Sequence, residues 1–468
     1  MVAQDVSSDR SLMQIIVDFI LGRLAGVDGG KPTIEALENC VFAELMTIGC
    51  LVMGQVFVMA DSDDEVVVDG VRWKPKERVM KRFMTRFGEI EVPRWVHQPT
   101  RNGHTRAFVE ERLGIVAGFM TPSCAKLAVV LSADLSTRDS SSFFKLLGGM
   151  VPSRSTIQRL IHRVGGAWEE HRLDIEQLLR DEFEPPKEAV TVAVMLDGVM
   201  VDTVDSEREA LKEAARSRGQ KIGGPVGYKE ASGGALSFYD EEGNRLLTRR
   251  FSRMPEANKA TLKDTLRKEL EHVRSLRPDL RVLAISDGAP NNWDFLESLR
   301  PDYQIVDFYH TVEHIKRRLD NALGPGTLEN QQQLKELRVL LRDTPDGHKA
   351  VFARLTEIEK RAGKHRERKE SGRGAQPTFY ERHAGRMEYA AFKQKNLPIG
   401  SGVIEGTVRH IVVDRLRRTG MRWSELGGQA ILSLRTAVKN GDFGTAWSHL
   451  IKLATLVDVP FFRRVGLI

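Results

Sequence analysis

Val194-Met195-Leu196-Asp197-Gly198-Val199 sets one carboxylate within an apolar run. A short continuous apolar run of this kind reads as a strand buried on both faces. A carboxylate beside such a strand costs free energy unless it is paired or metal-bound, so Asp197 is a candidate site residue by position. Arg281-Val282-Leu283-Ala284-Ile285-Ser286 repeats the pattern and is followed directly by Asp287. Gly288 then lets the backbone turn, and Trp293 lies in the helix that follows. Two carboxylates at the ends of strands can converge.

Reading outward, strand-like stretches at 235–239 and 245–251 flank the turn Glu242-Gly243-Asn244 and form a hairpin. A helix is expected at 256–275, a strand at 281–286, a helix at 291–299 and a strand at 303–307. Three antiparallel-type strands followed by two strands that each precede a helix is the succession of the ribonuclease-H-like α/β fold. Fold alone licenses no function. Residues 310–395 read as almost wholly helical, and a third acid, Glu405, follows in Pro398-Ile399-Gly400-Ser401-Gly402-Val403-Ile404-Glu405, just inside a helix entered through glycines.

Phosphodiester cleavage and strand transfer need a nucleophile deprotonated near neutral pH and a stabilised leaving oxygen, and two magnesium ions do both. Hard cations want oxygen ligands, which Asp197, Asp287 and Glu405 would supply. Singly, each acid has a structural alternative: Asp197 and Asp287 as turn or capping residues, Glu405 as the helix partner of Arg409.

The chain has 468 residues, 41% hydrophobic and 29% charged, with a net charge of +6. That length allows two to four domains with a sizeable core and excludes a disulfide-stapled miniprotein or a disordered chain. The charge favours an anionic partner without demanding one. Cys40, Cys50 and Cys124 lack metal-ligand spacing and point to a reducing compartment, with the cytoplasm as default. The N-terminus does not read as a secretory signal, because Asp5 and Asp9 precede its first apolar stretch and Asp18 and Arg23 interrupt it. Residues 12–60 look helical, with Pro32 and Thr33 opening a second helix after the break at Gly26 to Gly30. Its stretch 45–60 lacks charge but is about four residues short of a membrane span, and reads as a buried or dimer-forming helix with no membrane partner.

Composition shifts divide the chain into a helical head (1–64), a small β-rich module (65–120), a helical, helix-turn-helix-like region (121–183), a first part of the α/β core (187–310), a helical insertion (311–395) and a helical C-terminal part of that core (396–468). Pro93 is expected to close a strand at 88–92. Val151-Pro152-Ser153-Arg154-Ser155-Thr156-Ile157-Gln158-Arg159-Leu160 resembles the recognition half of a helix-turn-helix, which would bring Arg154, Gln158 and Arg159 to double-stranded DNA. An ordinary amphipathic surface helix has the same pattern. Residues 360–373 hold seven basic side chains against two acidic ones, and Lys364, Arg366, Arg368 and Lys369 among them can meet DNA phosphates. A solvated loop is the alternative there.

The surrounding words bring these readings together. Leu196-Asp197-Gly198-Val199, Ser286-Asp287-Gly288-Ala289 with Trp293, Asp307-Phe308-Tyr309-His310 with Glu313-His314, Pro398 to Gly406, and Arg418-Thr419-Gly420-Met421-Arg422-Trp423 closely resemble the Kra-type insertion-sequence transposases, a prokaryotic DDE family with a ribonuclease-H-like catalytic domain. The resemblance runs from about residue 190 to 450. It implies that Asp197, Asp287 and Glu405 bind two magnesium ions, with manganese as a substitute, and that 311–395 is an insertion. It further implies that His310 stands near the scissile phosphate; a capping histidine is the alternative. The implied activity is metal-dependent cleavage and strand transfer at the ends of an insertion sequence, by a homo-oligomer on DNA in a prokaryotic cytoplasm. Family members often carry a cysteine-bearing zinc module after the segment matching 87–94, whereas here only His97 and His104 lie nearby, so a zinc there is not expected. Two rivals share these residues: a nuclease of the same fold that does not transpose, and an inert DNA-binding descendant.

Overall fold

The computed structural model describes residues 33–99, 104–204, 206–220, 227–363 and 378–454, together with 14, 17, 18 and 22. The chain is a mixed α/β protein that divides into two compact units, Met1–Val164 with Trp447–Ile468, and Gly165–Ala446.

In the first unit a helix Ile34–Ala60 opens at Thr33, whose hydroxyl accepts from the Ala36 N–H. The start is the one expected from Pro32 and Thr33, but burial within the chain, one of the two readings of 45–60, does not hold over most of that stretch. Glu35, Glu38 and Glu44 fit within the first half of the helix, so it runs 27 residues, with Phe57 and Ala60 buried and Leu51, Val52 and Met59 exposed. By length and composition it is long and apolar enough to cross a membrane. Three antiparallel strands follow in spatial order, β1 (Val66–Val68), β2 (Val71–Met84) and β3 (Glu89–Pro99). Pro93 does not close β3. Among the described strands it pairs only with β2, so the proline sits opposite Met80 on an edge strand, where a missing N–H is tolerated. The helices Pro122–Asp134 and Thr137–Leu147 come next, then Arg154–Glu170, of which the residues to Val164 belong to this unit.

The second unit is built on a five-stranded sheet with order β6-β5-β4-β7-β8. Strand β4 (Thr191–Asp202) is central. It runs antiparallel to β5 (Tyr228–Tyr239), which pairs with β6 (Arg245–Arg253), and parallel to β7 (Arg281–Ser286), which pairs in parallel with β8 (Tyr303–Val306). β5 begins well before the expected 235–239 stretch, because its polar and glycine-rich start is still strand. Gly233 and Gly234 leave room there for Val408 on one face and for Leu262 and Leu266 on the other. The core holds Val194, Met195, Leu196, Leu283 and Ile285 from the sheet, closed by Leu262, Leu266 and Leu270 of the helix Ala260–Leu276.

After β8 come helices Phe308–Leu323, Leu328–Asp343, Gly347–Arg361, Phe379–His383 and Tyr389–Gln394. Their apolar faces, including Leu337, Leu341, Val351, Leu355 and Tyr389, join the same core. Lys364, Arg366, Arg368 and Lys369 lie outside the described residues.

Candidate active site beside β4, β7 and β8

The parallel pairing of β4 and β7 ends at Met195 opposite Ile285. Two residues further along each chain stand Asp197 and Asp287. Asp197 is not at the end of its strand, since β4 continues to Asp202 paired with β5 alone. The carboxylate therefore sits where the sheet loses its parallel neighbour. Asp197 Oδ1 accepts from the Gly198 N–H at 2.7 Å. Burial pushes its pKa up; the Gly198 hydrogen bond opposes this, the Asp287 charge adds to it, and Lys259 and His310 pull it back. Asp287 Oδ1 accepts from the Ala289 N–H and the Ser286 hydroxyl, both at 3.1 Å, which is the local turn contact of an aspartate. Its turn role and its proximity to Asp197 hold together.

The Asp-Phe-Tyr-His word builds the other half of the site. Asp307 follows β8, is fully buried, and caps the helix Phe308–Leu323 by accepting from the His310 N–H at 2.7 Å. The capping group is thus Asp307 and not His310. Its second oxygen accepts from the Ser401 N–H, and Ser401 Oγ lies 3.2 Å from Glu405 Oε1. Strand β8 in this way holds the segment that delivers the third acid. The Phe308 N–H also donates to the Ile399 carbonyl at 3.0 Å. At Gly400 a Cβ would meet the Tyr309 ring at 2.8 Å, so a side chain there would displace that ring.

Burial pushes the Asp307 pKa up, but hydrogen bonds from His310 and Ser401 outweigh it and hold the carboxyl below its ordinary value. Its partner His310, with Nδ1 at 3.3 Å from Asp307 Oδ1, is raised to about 9 by that contact, with Asp287 and Glu313 adding to it. At neutral pH His310 is a cation facing both carboxylate groups.

Ligand atoms of Asp307, His310 and Glu405 lie within 4.8 Å of one another. Asp197, Asp287 and Glu405 do not make such a set among the described residues. Asp197 and Asp287 stand together, Glu405 stands with Asp307, and His310 interacts with both sides. No ion pair joins Glu405 to Arg409 among the described residues. Arg409 opens a π-helical stretch to Val413 whose His410 carbonyl accepts from Arg435 Nε at 2.8 Å.

Sequence reading missed four neighbours of the acids. His383 Nε2 lies 3.2 Å from the Gly288 carbonyl and its Nδ1 3.0 Å from Arg386 Nη1. Since arginine can only donate, Nδ1 accepts and Nε2–H donates. Burial and Arg386 lower this histidine to about 4, so it is neutral. Phe379 stacks on His314 at 3.9 Å and covers Gly288, whose φ of +104° and a would-be Cβ contact of 2.6 Å with Phe379 exclude a side chain. Lys259, 3.2 Å from Glu230, supplies positive potential to Asp197. No motif flanks these residues; only the surplus of His and aromatic residues at 379–383 signals them.

Of the expected DNA contacts, Arg154, Gln158 and Arg159 are exposed on one face of Arg154–Glu170, while Ile157, Leu160 and Ile161 are buried on the other. Ser153 caps this helix, accepting from the Thr156 N–H. His97 is buried with Nε2 at 3.1 Å from the Asp64 carbonyl.

No protein-family model matches the chain, and no curated protein matches it. Among solved structures, a Drosophila P element transposase strand transfer complex is similar at 13% identity over 73% of this chain and 85% of that one, with a TM-score of 0.24, too low to decide fold or function.

Proposed function

We propose that the chain is a transposase of the DDE type that cleaves and rejoins double-stranded DNA at the ends of an insertion sequence. The observation that carries this reading is the pair Asp197 and Asp287 beside adjacent parallel strands, with Glu405 brought to the same side of the unit by the Asp307–Ser401 link. The strand order β6-β5-β4-β7-β8, with three antiparallel strands and then two parallel ones, supports a ribonuclease-H-like catalytic domain.

The donor set fits divalent metal. Asp197 and Asp287 are like charges in partial burial, a pairing that is costly without a cation, and all three acids offer the oxygen ligands that magnesium prefers. Asp197, Asp287 and Glu405 would hold the metal, which supplies an activated oxygen nucleophile and stabilises the leaving oxygen. The chain's own residues do the rest. Asp307, with its oxygens already accepting from two backbone N–H groups, positions Glu405 and His310. His310, protonated at neutral pH, offers a cationic hydrogen-bond donor to a phosphate oxygen. Neutral His383 and Phe379 fix the turn at Gly288 and thereby Asp287.

The exposed face of Arg154–Glu170 is the surface proposed to read end DNA. Strand transfer measured with a pre-nicked end duplex and a target plasmid tests the proposal. Cleavage without joining would favour a nuclease of the same fold, and binding without cleavage would favour an inert DNA-binding protein.

A further inference from the structure

A second group of ligating side chains lies in the helical insertion, on residues the proposed reaction does not use. Asp346 sits in the turn between Leu328–Asp343 and Gly347–Arg361, at a left-handed φ of +55°, and its carboxylate caps no N–H. His348 follows in the first turn of the second helix. Glu388 immediately precedes the helix Tyr389–Gln394 and likewise makes no side-chain cap. One ligand atom from each of the three lies within 4.8 Å of the others.

The decisive side chain is His348. It is only 7% exposed, and its Nδ1 is buried with no hydrogen-bond partner. Glu388 Oε1 stands 3.3 Å from it without making that bond. A buried ring nitrogen left this way is costly, and two carboxylates beside it add negative charge that one imidazole does not balance. Lys349 partly balances Asp346 at 2.7 Å, but its side chain is mostly exposed and free to swing away.

We propose that Asp346, His348 and Glu388 bind a zinc-class divalent cation. Ligands around a tetrahedral zinc stand about 3.3 Å apart, given metal–ligand bonds near 2.0–2.2 Å, so small rotations of the two carboxylates close the set and leave one position for water. The imidazole selects first-row transition ions over magnesium, which wants oxygen alone. The ion would staple the turn between two insertion helices to the segment leading to Ser401 and Glu405, a junction already bridged by Lys393 and Asp343 at 2.7 Å.

The test uses the full, tag-free chain carrying D197N, D287N and E405Q, so that its outcome is independent of the proposed catalytic site. Equilibrium dialysis against Zn2+ and the visible absorption of bound Co2+ are compared in that background and after adding E388Q, D346N, H348N or K349A, with circular dichroism as the folding control. The expected result is one Zn2+ per chain, bound at least roughly tenfold more weakly in E388Q and D346N, since even outer-shell partners of a metal commonly carry that much. K349A should bind more tightly, because it frees Asp346. The proposal is overturned if the background chain binds no Zn2+, or if folded E388Q and D346N bind it as the background does. Failure of H348N to fold leaves those two variants to decide.

Discussion

Replacing Asp307 by Asn tests the inner support of the site. The carboxylate accepts from two buried backbone N–H groups, His310 N and Ser401 N, and faces the His310 ring. An amide oxygen can accept on one side only, so one N–H would face the amide NH2. An unsatisfied buried donor costs about 1–3 kcal/mol. The contact raises His310 from 6.5 to about 9. At full burial this would be worth a few kcal/mol, but the ring is about one-third exposed, and solvent screening reduces it to about 1–2 kcal/mol. Because the folded-state pKa is raised, that contribution is fully present below pH 6.5 and is lost as the pH rises through about 9. Wild-type stability should therefore fall across this window, whereas D307N should be destabilised by on the order of 3 kcal/mol at neutral pH and show a flatter profile. Urea midpoints across the window measure the stability, and an NMR titration of labelled histidine, assigned with His310→Gln, reads the group directly. If His310 still titrates near 9 in D307N, or the two proteins have parallel stability profiles, the reasoning fails.

Other perturbations follow from the same geometry. Asp197→Ala, Asp287→Ala and Glu405→Ala should each abolish end-DNA cleavage while retaining end binding, and nearly as completely as the triple variant; cleavage surviving any one change removes that residue from the reaction. Arg409→Ala should leave cleavage near wild type, since Glu405 pairs with Ser401, and a loss matching Glu405→Ala would restore the helix-pair alternative. Gly288→Ala should destabilise the fold by about 1–3 kcal/mol through strain and overpacking against Phe379, and an unchanged melting temperature would contradict this. Replacing Arg154 and Gln158 should lower discrimination between end and random duplexes, because base contacts specify while phosphate contacts position. Neutralising Lys364, Arg366, Arg368 and Lys369 should instead weaken all DNA binding and flatten its salt dependence, and an unchanged salt slope would sink that assignment.

Strands β4 and β7 were legible because central strands buried on both faces must be apolar throughout, and their acids stand out against that background. The start of β5 was not: Ser232-Gly233-Gly234 looks like a loop until Val408, Leu262 and Leu266 are seen to need the space. Tertiary packing decides such a segment, and local propensity does not. The start of Ile34–Ala60 is legible from Pro32 and Thr33, whereas the low burial of 45–60 is not, since an apolar run does not say what covers it. His310 was visible in its motif, but its charge depends on Asp307, and the Asp307–Ser401 link closes across a long helical insertion whose local pattern says nothing of that contact. His383 and Arg386 reach the Gly288 turn from the far end of that insertion, and such an encounter follows only from the folded chain.

The most direct measurement is strand joining by the purified chain on a labelled duplex taken from the DNA flanking its coding region, with a target plasmid and Mg2+. Wild-type protein should join the cut 3′ end to the plasmid in the presence of the metal and not after its chelation, and D197A, D287A and E405A should each give no joined product. Absence of metal-dependent joining by the wild-type protein, or joining that persists in any of the three variants, would contradict the account.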